Sequence, residues 1–352
     1  MKYEMGVKEK RRDPYWQIVR GICILAVIMI HCPNGLSYSI AEQNAWLIIR
    51  GIINFPVALF VFMAGYFVNT DKVKQNSCTY LLDRGGRLLI PYLVWTSLYL
   101  IKDFILGVET NSEYIGYCFL TGKVAAPFYY IVLLIQLTLL LPIFARMKYR
   151  KLLYFLTPIY FIGFYAYNIS TGEFMDSHGV YFLTWIFFYI LGMDCRDGKW
   201  NSVIQKVKWW WIAIALTISL IESFVLLIVG APVAASASQA RYGNFLYATI
   251  IALVLIKIRG ESVSEAINSD WRRIRKILEA VGDYSYGIFY VHMLAVQVIS
   301  KIISTVQLSD YWVINFLVCF VASATISYGS VWIVRNSVKK LKIKWILKII
   351  GF

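Results

Sequence analysis

The chain has 352 residues, 59% hydrophobic and 16% charged, where soluble domains average about 45–50% and about 25%. A water-soluble fold of this size has no interior large enough for that much apolar surface. A cytosolic enzyme and a disordered chain are therefore excluded, and an all-α polytopic membrane protein is indicated. The net charge of +15 would suggest nucleic acid in a soluble protein; here it reports topology, because cytoplasmic loops collect Lys and Arg.

In chain order, Lys8, Lys10, Arg11 and Arg12 precede an apolar run over 18–30. No small-x-small cleavage site follows and further spans come after, so the run reads as a retained signal anchor. Ten hydrophobic segments can be drawn, at about 16–36, 44–69, 88–107, 127–145, 152–169, 180–195, 209–230, 242–258, 281–304 and 311–335. Each is long enough to cross a hydrocarbon core of about 30 Å as a helix. The second holds Gly51, Pro56 and Gly65, which predicts a kink or a break. The loop at 261–276 is charged enough for a short surface helix. The whole chain reads as a single transmembrane domain, with its core over about 13–335 and a basic tail over 336–352.

With both termini placed in the cytoplasm, 29 of the 35 basic residues fall on inner segments, and the outer loops hold only Lys123 and Arg241. A miscounted pair of spans would put a basic cluster outside. Trp16, Trp46, Trp209, Trp210, Trp211 and Trp312 fall near the proposed membrane boundaries, where amphipathic rings settle. The six cysteines, Cys23, Cys32, Cys78, Cys118, Cys195 and Cys319, show no CxxC spacing. They read as buried small hydrophobes, with no disulfide framework and no metal site expected.

Ionisable residues inside a bilayer are costly, so they are functional candidates by default. They are Arg20, His31, Arg50, Lys102, Asp103, Glu222 and His292. Arg20 and His31 share the first span on nearly the same face, about 16 Å apart along the axis. A neutral histidine can act as general base; the plainer reading is a packing histidine bonded to a backbone carbonyl. Arg84-Gly-Gly-Arg87 stands at the mouth of the third span. Two guanidinium forks suit a phosphate, although flanking charge alone would explain them. Glu222 needs a partner, either Arg241 or Arg50, and serves ion pairing or substrate binding. Lys102 and Asp103 read as a local pair, and His292 as a core histidine. His178 reads as solvated, and Asn168-Ile169-Ser170 matches a glycosylation sequon.

Together these features resemble the membrane-bound acyltransferase-3 family over about residues 13–335. The resemblance rests on Arg20 and His31 with ten residues between them, on Phe55-Pro-Val-Ala-Leu-Phe-Val-Phe-Met-Ala-Gly-Tyr-Phe67, and on Arg84-Gly-Gly-Arg87 running into Leu-Leu-Ile-Pro-Tyr. It also rests on Tyr129-Tyr130 through Gln136 to Pro142, and on Gly282-Asp-Tyr-Ser-Tyr-Gly-Ile-Phe-Tyr-Val-His292. Tyr129-Tyr130 stands where many members carry Trp with an aromatic, and Ala64-Gly65 replaces the usual Ser-Gly. The chain is similar to the short members, and to the membrane part of some serine racemase-type resistance proteins.

The resemblance implies an O-acyltransferase of the plasma membrane, usually an O-acetyltransferase. Its donor would be cytosolic acetyl-CoA and its acceptor a hydroxyl of a carbohydrate at the outer face. Arg84 and Arg87 would hold the nucleotide phosphates, and Arg20 would line the donor channel. His31 would take the acceptor's proton or carry the acetyl group itself. Glu222, which belongs to none of the motifs that carry the resemblance, would contact the acceptor or orient His31. The competing reading is a transporter or flippase of a cell-surface precursor or amino acid. Transporters often show paired broken helices in inverted repeats, and only the second segment looks broken.

Overall fold

Pro14 opens α1 (Pro14–His31) at the one turn where its missing N–H is not needed, and the Asp13 side chain accepts from Tyr15 N at 3.0 Å. This first segment belongs to a computed structural model that describes residues 13–32, 39–172, 178–260, 269–343 and 345–352. The basic N-terminal residues and part of the loop at 261–276 lie outside the described residues. The His178 side chain does too.

A capping box of Ser39 and Glu42 starts α2 (Ile40–Ile53), and Pro56 starts α3 (Pro56–Tyr66) after a break at Asn54 and Phe55. The second segment is thus two helices, as its proline predicted. α4 (Thr70–Gln75) follows, and Asn76 caps α5 (Ser77–Ile105) by accepting from Thr79 N at 3.1 Å. That cap starts the helix well before the apolar run near 88, so Arg84 and Arg87 lie within α5. Next come α6 (Ser112–Thr121) and α7 (Tyr129–Arg146). A 3-10 turn, Arg150–Phe155, leads into α8 (Leu156–Thr171), followed by α9 (Phe182–Arg196) and α10 (Asn201–Lys206). α11 (Trp211–Ile228) and α12 (Val233–Ser236) lead to α13 (Tyr242–Gly260). The chain closes with α14 (Ser269–Asp283), α15 (Ser285–Val306), α16 (Trp312–Lys340) and α17 (Trp345–Ile350).

Among the described residues there is no strand, and eight helical stretches are long and apolar enough to cross a membrane, with α2 and α3 counted as one. The molecule is an all-α polytopic membrane protein. Of the ten segments expected, α8 and α9 fall short of that length, at 16 and 15 residues. α9 is sheathed by protein, buried from Thr184 to Cys195 except at Phe187.

Among the described residues two large apolar cores form the bundle, with a small third cluster of Ala26, Ile30 and Ile53. One gathers residues of α1, α3, α7, α9 and α13, the other residues of α1, α5, α7, α15 and α16. Phe60 and Tyr130 pack against both, so a seam runs between the cores along α1 and α7. Helices cross closely at glycines. A Cβ on Gly65 would strike the Tyr189 carbonyl, and one on Gly192 the Phe62 carbonyl, where α3 meets α9. Gly21 and Gly282 do the same where α14 lies on α1. Without water to drive association, such contact is a principal source of helix cohesion.

The charged stretch expected on the surface is therefore a helix docked against α1 by its C-terminal turn. The expected tail is also more than a tail. α16 runs to Lys340, and α17 folds back so that Ile350 O accepts from Trp95 Nε1 at 2.9 Å and Phe352 stacks on Trp95. Two of the expected boundary tryptophans are buried: Trp16 packs on Tyr66 and Trp46 on Phe316. Trp209 and Trp210 stay exposed. Five cysteines are buried and Cys78 is exposed. Asn168 of the sequon is buried, at 5% exposed. Lys102 and Asp103 do form a local pair, at 2.9 Å.

Basic residues tie one end of the bundle. Arg196 and Arg259 both reach Tyr66, Arg259 also pairs with Asp13 at 3.0 Å, and Arg146 bonds Lys74 O and Ser77 Oγ. This basic end holds the start of α1, and His31 lies toward the other.

Candidate active site

The seam between the two cores opens into a cavity of about 660 Å³. α1 lines it with Trp16, Gln17, Arg20, Ile24, Val27 and His31, a stripe at the three- and four-residue spacing of one helix face. Arg84 and Arg87 line the same cavity at the basic end, and Tyr129, Tyr130 and Phe289 wall its far part. Four of the five predicted site residues, Arg20, His31, Arg84 and Arg87, are thus brought to one space.

Their fixings differ. Arg84 donates from Nη2 to Ala64 O at 3.0 Å and from Nη1 to Tyr80 Oη at 3.2 Å. It joins α5 to the end of α3. Arg87 is exposed, and its Nε donates to Asp83 O of its own helix at 2.9 Å. Pro91, four residues on, has no N–H for the Arg87 carbonyl. The Tyr286 hydroxyl supplies the missing donor at 3.0 Å, which locks α15 to α5 beside the arginine pair. Arg20 lies 5.2 Å from the centre of the Phe67 ring.

His31 ends α1, and its ring centroid is 5.7 Å from that of His292. His292 is fully buried. Its Nδ1 stands 3.1 Å from Ile288 O, and its Nε2 has no partner. The hydrogen bond assigns the proton to Nδ1, so the ring is a core histidine satisfied at one nitrogen only. Its position against His31 was not legible, because the two residues are 261 positions apart.

Glu222 is placed elsewhere. It pairs with Arg241 at 3.3 Å, and accepts from Tyr165 Oη at 2.8 Å, Tyr242 N at 3.0 Å and Gly243 N at 2.8 Å. It lies outside the lining of the His31 cavity. Arg241 is thus the partner, and the carboxylate joins α11 to the start of α13 rather than reaching His31. Gly243 permits this, since a Cβ there would meet Ser219 and the Glu222 carboxylate.

Two further cavities adjoin the first. One, of about 550 Å³, shares Tyr129 and Gln239 with it and extends to Arg50, Asn168, Trp185 and Arg241. The other, at the basic end, shares Arg87, Asp283 and Tyr286 with it and is lined by Arg335 and Lys348. Gln239 carried no sequence signal, and Arg335 and Lys348 looked like ordinary basic flanks. Among the described residues, no group of three or more His, Cys, Asp or Glu stands close enough to hold a metal.

No curated protein and no solved structure matches the chain. The sequence model of one family does, described as an acyltransferase domain, over residues 13–334. That stretch holds every residue of α1 and α15 and both arginines of α5, and it leaves out only the ends of the chain. The protein belongs to the acyltransferase-3 family and is a membrane acyltransferase.

Proposed function

We propose that the protein moves an acetyl group from cytosolic acetyl-CoA, across the plasma membrane, to a hydroxyl of a cell-surface carbohydrate or cell-envelope precursor. The observation that carries this reading is one cavity lined by Arg84 and Arg87 at the basic end, by Arg20 on α1, and by His31 about 16 Å beyond Arg20 along that helix. Both termini lie in the cytoplasm in this reading, since cytoplasmic loops collect basic residues. The phosphates of the donor meet Arg84 and Arg87, with Arg335 and Lys348 in the adjoining cavity. The slender pantetheine arm follows the stripe of Ile24 and Val27, whose apolar side chains ask nothing of it but shape. Arg20 stands between, its charge offsetting the phosphates.

At the far end His31 faces the thioester. Its neutral ring takes the proton of the acceptor hydroxyl as that oxygen attacks the carbonyl carbon. The C–S bond then breaks, and the thiolate leaves with the proton from the imidazolium. His292 holds its ring against His31 and is a positioning residue for it. Glu222 has no step here; it supports the wall through Arg241.

The test is transfer of labelled acetyl from acetyl-CoA to extractable glycan in membranes. His31→Ala should abolish it while the purified protein keeps its melting temperature and its coenzyme A binding. Full transfer by that variant ends the reading. Export of a precursor or amino acid that survives His31→Ala would favour a transporter.

A further inference from the structure

The second cavity is walled by Tyr117, Tyr165 and Trp185 and entered by two guanidinium groups, one from α2 and one from the bend before α13. Arg50 comes from the last turn of α2. Its Nη2 donates to Ala237 O at 3.0 Å, and its guanidinium lies 5.7 Å from the centre of the Trp46 ring. Arg241, 2% exposed, donates from Nε to Ser238 O at 2.9 Å and from Nη1 to Ser219 O at 3.2 Å and Glu222 at 3.3 Å. Each guanidinium keeps one buried nitrogen with no partner, Nη1 of Arg50 and Nη2 of Arg241. Both groups line this one cavity. Two buried acceptors of the same cavity, Gln239 Oε1 and Asn168 Oδ1, are unpartnered as well.

The charge balance of this space is one-sided. Its lining holds Arg50, Lys123 and Arg241, and among the described lining residues there is no carboxylate. Glu222 compensates Arg241 from outside the lining, and among the described residues no carboxylate pairs with Arg50. Burying an unpaired cation among apolar helices is costly. A guanidinium fork with an open N–H is complementary to the oxygens of a carboxylate or phosphate. The open amide oxygens can accept from hydroxyl groups.

We propose that this cavity selects an acceptor that carries a negative charge, a carboxylate or phosphate held between Arg50 and Arg241. The hydroxyl to be acylated then lies past Tyr129 and Gln239, where the two cavities meet. Only this last clause rests on the acyltransfer reading of His31; the anion site stands on its own residues.

The experiment measures binding, so it does not depend on turnover. The full chain in lipid nanodiscs is offered three probes. These are a glucuronate-containing oligosaccharide, the same oligosaccharide with its carboxyl reduced to an alcohol, and a glycerol phosphate oligomer. At least one anionic probe should bind tenfold or more tightly than the reduced sugar, and which one does so separates carboxylate from phosphate. In Arg50→Gln that preference should fall toward unity while coenzyme A binding is unchanged; Arg50→Lys should keep part of it. Arg241→Gln should do the same, with Arg50→Gln deciding should that variant not fold. Equal binding of all three probes, or a preference that survives in folded Arg50→Gln, overturns the proposal. Charge-selective binding without His31-dependent transfer would keep this site and remove the catalytic reading instead.

Discussion

Arg150 and Arg50 are both guanidinium groups held among apolar helices, and their surroundings have opposite logic. Arg150 donates from Nε to Asp194 at 2.9 Å and from Nη2 to both Asp194 and Asp197. Lys199 and Tyr154 bond the same Asp194, and Trp200 donates to the Tyr154 hydroxyl at 3.0 Å. No buried side-chain atom of that cluster lacks a partner, and none of its residues lines one of the cavities described above. Around Arg50 and Arg241 the reverse holds. Four buried polar atoms are open and all four residues face a cavity. A closed cluster fastens the Arg150–Phe155 turn to the end of α9. An open one suits the anion proposed above. What separates these two clusters is not the charge but whether its hydrogen bonds are finished.

The largest effect is expected where the cluster is closed. Arg150→Ala removes the guanidinium bonds to Asp194, 2% exposed, and leaves only Lys199 and Tyr154 to hold it. Loss of about 1.5–3 kcal/mol follows, the scale of hydrogen bonds to charged groups. A melting curve in detergent should show it as a large drop. An unchanged melting temperature would dissolve the contrast with Arg50.

A smaller effect, of a different kind, belongs to Arg87. It is exposed and bonded only to its own helix, so Arg87→Ala should leave the melting temperature nearly unchanged. It should raise the KM for acetyl-CoA about tenfold, or about 1.4 kcal/mol, with the acceptor KM constant. An altered acceptor KM with an unchanged donor KM would count against the phosphate role. The smallest effect is Tyr286→Phe. Removing its hydroxyl leaves the Arg87 carbonyl without a donor, at about 0.5–1.5 kcal/mol. That loss should appear in thermal melts and spare the Arg150 cluster entirely.

Much of the fold could be read from the chain before any coordinates. Hydropathy placed the apolar segments, because a helix in lipid must satisfy its own backbone. Pro56 announced the break between α2 and α3 for the same backbone reason. The pairing of Lys102 with Asp103 needed only neighbouring positions. Arg20 and His31 were legible because one helix carries both and its pitch is known. Arg84 and Arg87 were legible as a pair, but the helix they sit in was not. Asn76 begins it with a cap, and hydropathy does not see caps. The docking of α14 and α17 was hidden for a similar reason: their charge suggested water, while Gly282 and Phe352 decided the contact.

By itself, then, the amino-acid order determined that this protein is helical, lives in a bilayer, gathers its positive charge toward one end, and carries a histidine and an arginine on one face of its first helix. These follow from local quantities: the hydrophobicity of a stretch, the pitch of a helix, the chemistry of a side chain. Only the tertiary structure decided that Glu222 belongs to Arg241, that His292 backs His31, and that two cavities meet at Tyr129 and Gln239. Such facts depend on which helix faces which, and that choice is set by close packing at a few small residues far apart in the chain.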